Sequence, residues 1–282
     1  MDVLAQAWQA RRAALYQACM AELAAGLLRL ARARVEIDEP RTLALRWQQL
    51  GAAMGRGRGD ALGQAEAALA ALADDEMRVS TTRLLTFHGL DGQAQGLILE
   101  RVAGLVAVHA RLSEGRAALI GGALTGALAG LKADLVTGGL TLGGGMLAGG
   151  LLGALGAAGL ARGINVTRGT GRGWVSLADA ARLPVAQAAL LRYLAVAHFG
   201  RGRGDWQDAE APAHWPGVVA AALVPRGDAL IAALGRAPDT DAAGQPDAAA
   251  AAVERLLTDT MDEVFALLYP GGPTVVSPPA NP

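Results

Sequence analysis

Between Ala117 and Ala161 the chain places 14 glycines and only two charged residues, Lys132 and Asp134. Each glycine in a helix interior costs roughly 1 kcal/mol relative to alanine in water. An isolated soluble helix of this composition would therefore not persist. The segment needs either a closely packed protein partner or a nonaqueous environment. Gly122, Gly126 and Gly130 form one four-residue series, and Gly145, Gly149 and Gly153 form another. At this spacing the small residues line up on one helix face and let a second backbone approach closely.

"TGGLTLGGG" (Thr137 to Gly145) divides the segment into a first arm, 117–136, and a second, 146–161, the pattern of a helical hairpin. The uncharged part of the first arm reaches about 22 Å and the second arm about 24 Å at 1.5 Å per residue, both short of a bilayer core of about 30 Å. Seven Leu, Ile and Val residues of the first arm favour insertion by roughly 0.3–0.6 kcal/mol each, while Lys132 and Asp134 oppose it by about 2.5–3.5 each at the bilayer centre. The balance lies near zero, so tilting, a shallow position or snorkelling of Lys132 decides it. Lys132 and Asp134 do not face each other on a helix, and each needs a partner from elsewhere if buried.

Basic residues bracket the hairpin: Arg116 precedes it, and Arg162, Arg168 and Arg172 follow. Positive charge at both ends suits two ends on the cytoplasmic face, beside anionic headgroups. The alternative is a glycine-packed hairpin buried inside a soluble helical domain, with the arginines on its wet surface.

Outside this segment, Ala and Leu dominate and aromatic residues make up only 4% of 282 residues, which favours helices over sheets. The fold class expected is mainly α. Apolar spacing predicts helix over 2–34, with "EIDEP" ending it at Pro40, and further helices over 41–54, 61–78 and 92–115. "FHGLDG" (Phe87 to Gly92) reads as a turn. "GINVTRGTGRGWVSL" (Gly163 to Leu177) is the best β candidate, two short runs about a Gly/Thr/Arg turn. Pro184 marks a helix start, with Gly200 just past its end, and Asp247 an N-cap for a helix over 247–269. The organisation expected is one helical domain over 1–269, divided into N-terminal helices (1–115), glycine hairpin (116–163) and β-hairpin with C-terminal helices (164–269). A disordered Pro/Gly tail, 270–282, follows.

"GRGRGD" occurs at Gly55–Asp60 and again at Gly200–Asp205. It reads as punctuation, glycine ending one helix and aspartate capping the next. A nucleic-acid role is not expected, because the net charge is −1 and the arginines are not interleaved with aromatics.

Catalytic motifs are missing. There is no phosphate loop, and "GGGMLAGG" lacks the lysine and hydroxyl that hold phosphate and Mg²⁺. His88, His109, His198 and His214 are scattered without metal-ligand spacing. Cys19, the single cysteine, suits small-residue packing, and His198 a helix-end role. Asp205, Asp208, Glu210 and His214 share a loop with Trp206 and Trp215, where the acids cap and the tryptophans anchor. No catalytic residue, cofactor or metal is expected. The N-terminus lacks a signal-peptide pattern, so a bacterial cytoplasmic location is expected, peripheral to or inserted at the inner membrane.

"LKADLVTGGLTLGGGMLAGGLLGALGAAGLARGINVTRG", followed by "ALLRYLAVAHFGRGRGDW" and "EAPAHW", resembles the C-terminal domain of unknown function of a group of bacterial Era-like GTP-binding proteins. "WQARRAAL" (Trp8 to Leu15) is similar to the helix that follows their GTPase domain. The resemblance covers most of the chain, with 117–215 its most specific part. It implies a GTPase domain acting in cis or in trans, and no nucleotide-binding residue carries over to a position here. Two alternative expectations follow: a noncatalytic module docking its hairpin on anionic inner membrane, or a soluble helical domain that binds a GTPase, with homo-oligomerisation open to either.

Overall fold

The computed structural model describes residues 2–37, 57–90, 164–168, 173–199, 212, 214–236 and 247–270. They form a mainly α structure of six helices and three strands. In chain order these are α1 (Asp2–Arg32), β1 (Arg34–Ile37), α2 (Gly57–Phe87), β2 (Ile164–Arg168), β3 (Gly173–Leu177) and α3 (Asp179–Phe199). Then come α4 (Trp215–Leu223), a 3₁₀ turn (Val224–Arg226), α5 (Gly227–Gly235) and α6 (Ala248–Leu268).

The centre is α3. From Ala188 to Ala197 every residue is buried, and Leu190, Leu191, Leu194, Ala195 and Val196 lie within 1% of complete burial. A helix apolar on all sides must be surrounded, and its alanines let the neighbours approach closely. Around it α1 runs antiparallel to α2, α3 and α6. Glu22 and Arg29 of α1 pair with Arg83 and Glu76 of α2 at 3.0 and 2.7 Å. Tyr16 and Arg32 of α1 meet Asp262 and Asp247 of α6 at 2.9 and 2.7 Å. The Tyr16 and Tyr193 rings lie 5.9 Å apart. The C-terminal ends of α2, α3 and α6 thus gather around the N-terminal part of α1.

The β candidate is confirmed as β2 and β3, antiparallel with Ile164 opposite Leu177 and Arg168 opposite Gly173. The sheet has a third strand that the sequence reading missed. β1 joins β3 from the other side, in the order β1-β3-β2, with Val35 opposite Val175. Residues 34–37 therefore form a strand where a helix end and a break were expected. Their partner lies some 140 residues on, beyond the reach of local periodicity. A Cβ at Gly173 would stand 3.1 Å from Cδ1 of Ile37, so glycine admits the strands' close side-chain packing there. Ile37 and Val175 pack with Ala65 and Leu69 of α2, fixing the sheet toward the N-terminal half of that helix.

Other boundaries also differ. α2 begins at Gly57, so Asp60 is a helical residue and not the cap expected of the first "GRGRGD". α2 also continues to Phe87 instead of 78. It ends in the expected turn: Gly89 has φ +67°, and the amides of Leu90 and Gly89 donate to the carbonyls of Leu85 and Thr86 at 2.9 and 3.0 Å. This is a Schellman ending, with Leu90 folded onto the core. α3 starts five residues before Pro184, which sits inside its second turn, and Asp179 pairs with Arg182 at 2.9 Å. α4 begins at Trp215, where a loop was expected, and Trp215 is a fully enclosed core residue. Trp215–Gly235 is apolar and long enough to cross a membrane by composition, but it is two short helices broken at the 3₁₀ turn. The expected helices over 41–54 and 92–115, the glycine hairpin, the second "GRGRGD" and residues 271–282 lie outside the described residues.

The Asp247 cap is as expected: its carboxylate accepts from the Ala249 amide at 2.9 Å and from Arg32 at 2.7 Å. The Arg32 guanidinium holds the Asp247 carboxyl below its usual value. A depressed carboxylate contributes stability above its unfolded pKa and loses it as pH falls through the folded value. Asp247→Ala should thus cost about 1 kcal/mol at neutral pH. Asp247→Asn should keep much of the cap but flatten the acid limb below the ordinary carboxylate pKa. Urea titrations across that pH range check both.

Candidate functional site

The chain is poor in aromatic residues, yet it concentrates them. Among the described side chains, Trp8, Tyr16, Phe87, Tyr193 and Phe265 stand on the parts of α1, α2, α3 and α6 that meet at one end of the bundle, and Tyr269 directly follows α6. The reason is geometric: Tyr16 faces Tyr193 and Phe265, and Phe265 in turn faces Tyr269, with ring centroids 5.9–6.4 Å apart. Tilted and edge-on rings at such separations attract beyond their buried area.

The Tyr16 hydroxyl donates to Oδ1 of Asp262 at 2.9 Å. Burial, then the Asp262 charge, holds the Tyr16 phenol well above its usual range. Burial also raises the Asp262 carboxyl, partly offset by the Tyr16 hydrogen bond. Beside them Cys19 is completely enclosed, its Sγ 3.7 Å from Nε2 of His88. Burial pushes this thiol up to about 12, with the Glu22 charge adding to the effect. A buried neutral thiol is a packing group and not a nucleophile. Iodoacetamide should label Cys19 at least about a thousandfold more slowly in the folded chain than in urea, because access requires global opening. Mass spectrometry after timed labelling reads the ratio.

Above this cluster α1 projects. Residues 3–11 are all exposed, with Val3, Leu4 and Trp8 at 78, 79 and 60% of their free surface. At 100° per residue Leu4 and Trp8 stand near the azimuth of Leu15 and the buried Cys19, while Val3 and Ala7 are turned away from Tyr16, Met20, Leu23 and Leu27. Phe87, Leu267 and Tyr269 are also exposed here. Of the eight large apolar side chains exposed among the described residues, six stand at this end. Leu4, Trp8, Arg12 and Leu15 lead along α1 into a cavity of about 70 Å³ walled by Tyr16, His88, Tyr193, Ala197 and Phe265. The Arg12 guanidinium lies over the Trp8 ring, 4.6 Å from its centre. His198 has Nδ1 3.2 Å from the Tyr269 hydroxyl and stands edge-on to Trp215 at 5.1 Å, the helix-end place expected of it.

A second polar feature lies deeper. Arg192 is 5% exposed and donates to the Met77 carbonyl at 3.0 Å and to Ser80 Oγ at 3.4 Å. Its Nε meets no acceptor among the described residues, and burial draws the guanidinium down to about 10. It stays charged at neutral pH beside a cavity of about 20 Å³ that Glu76 also borders. That volume suits one water molecule between the two side chains.

Of the residues singled out from the sequence, Arg168 lies on β2 opposite Gly173. Arg116, Arg162, Arg172, Lys132, Asp134 and the six hairpin glycines fall outside the described residues. The aromatic end was not foreseen. Its only sequence signal is the Val3, Leu4 and Trp8 spacing at the start of the helix expected over 2–34, which does not say what that face meets. No group of three or more metal-ligating side chains occurs among the described residues. No family model matches the chain, and neither a curated protein nor a solved structure matches it.

Proposed function

We propose that this chain is a noncatalytic, membrane-associating module of a bacterial GTPase system, in which the glycine hairpin at 116–163 docks on or in the inner membrane. The observation that carries the reading is the 45-residue stretch of 14 glycines and two charges, bracketed by Arg116 and by Arg162, Arg168 and Arg172. Gly122, Gly126 and Gly130 pack one arm, and Gly145, Gly149 and Gly153 the other; the arginines meet anionic headgroups. The start of β2 at Ile164, directly after the hairpin, supports it by tying the hairpin's exit into the three-stranded sheet. The GTPase link rests on the resemblance of 117–215, and the nucleotide site belongs to a domain in cis or in trans. Fractionation of cells expressing the chain tests the membrane part: it should sediment with membranes and resist a high-salt wash. Recovery in the soluble fraction contradicts it.

The second reading, a soluble helical domain that binds a GTPase, is favoured by the exposed aromatic end. Its hairpin would be buried within the protein. A monodisperse species on gel filtration without detergent, together with retention of a nucleotide-loaded GTPase domain, supports this reading over the first.

A further inference from the structure

We infer that the aromatic end of the bundle is a self-association surface, on which the projecting start of α1 seats against the same surface of a second copy of this chain. The first argument is shape. The end carries both a projection, Val3, Leu4 and Trp8, and a recess, the cavity of about 70 Å³ beside Leu15 and Tyr16. A two-fold interface uses one patch twice, so the patch must be complementary to itself. Two α1 starts laid antiparallel about a dyad between residues 9 and 10 set Leu4 of one copy opposite Leu15, at the recess, of the other. The same register brings Arg11 to the Trp8 ring across the dyad, a cation–π pairing.

The second argument is charge. Arg11 and Arg12 are the only charged residues from 3 to 21, while Asp259 and Asp262 flank the same end on α6. A surface bearing both signs suits pairing with itself and is poorly matched to a uniformly anionic bilayer. The third is composition: Trp8, Phe87 and Tyr269 beside Leu4, Arg11 and Arg12 give the patch the aromatic and Arg content typical of an interface centre.

Sedimentation velocity of the full chain over roughly a hundredfold range of concentration tests the inference. A reversible dimer is expected. Leu4→Glu and Trp8→Glu, both at exposed positions, should each weaken it at least about tenfold, as a charge at an interface centre does, with unchanged helical circular dichroism. Gly126→Leu, in the hairpin, should leave dimerisation intact even where it abolishes membrane association, which separates the two readings. A monomer at every concentration overturns the inference. So does an oligomer that withstands Trp8→Glu and yields to Gly126→Leu. Quenching of tryptophan fluorescence by brominated anionic vesicles in a monomeric chain, lost in the Trp8→Glu variant, assigns the patch to lipid and also overturns it.

Discussion

Trp215→Ala is expected to destabilise the folded chain by about 3–5 kcal/mol, the range for removing a large aromatic from a packed core. Trp215 is 2% exposed at the first turn of α4 and meets His198 edge-on at the end of α3. It therefore joins the short helices to the central one. Because a domain holds only about 5–15 kcal/mol in total, the loss should lower Tm by roughly 6–20 °C. It should also loosen the His198–Tyr269 corner of the aromatic end. Trp215→Phe, which keeps most of the volume, should cost less than half as much. Thermal melts of the two variants decide the matter: a drop below about 1 kcal/mol for the alanine variant would mean that this residue does not join the helices.

Gly126→Leu and Gly149→Leu carry the other large expected effect. Leucine at either site adds a side chain where two arms are to meet, and the arms must separate. Each leucine also favours insertion by roughly 0.3–0.6 kcal/mol. The two accounts of the hairpin therefore differ in sign. If the arms pair, the double variant should lose salt-resistant membrane association by about tenfold, equivalent to roughly 1.4 kcal/mol. If they insert independently, association should rise. Vesicle cosedimentation of the double variant beside the parent chain gives the sign directly.

The local parts of this fold were legible in the sequence where local physics decides them. The Asp247 cap, the glycine-ended turn after Phe87 and the hairpin of β2 and β3 each depend on residues a few positions apart. β1 was not legible, because Arg34–Ile37 becomes a strand only through β3, far along the chain. Pro184 misled as a helix start since surrounding burial outweighs the missing amide bond of one proline within α3. The aromatic end was hidden for a related reason. Trp8, Phe87, Tyr193 and Phe265 are separated by as many as 257 residues, and only the antiparallel packing of α1 against three helices brings them together. By contrast, the glycine segment announces its need for a close partner without any structure, because the cost of its glycines is a property of each residue.

The most direct test of the membrane account is flotation of the purified full chain with liposomes, neutral and anionic, at low and high salt. Insertion of the hairpin predicts that the chain floats with anionic vesicles and that high salt does not release it, since apolar burial is not screened. Failure to float with either vesicle at either salt would contradict the account and leave the GTPase-binding reading in its place.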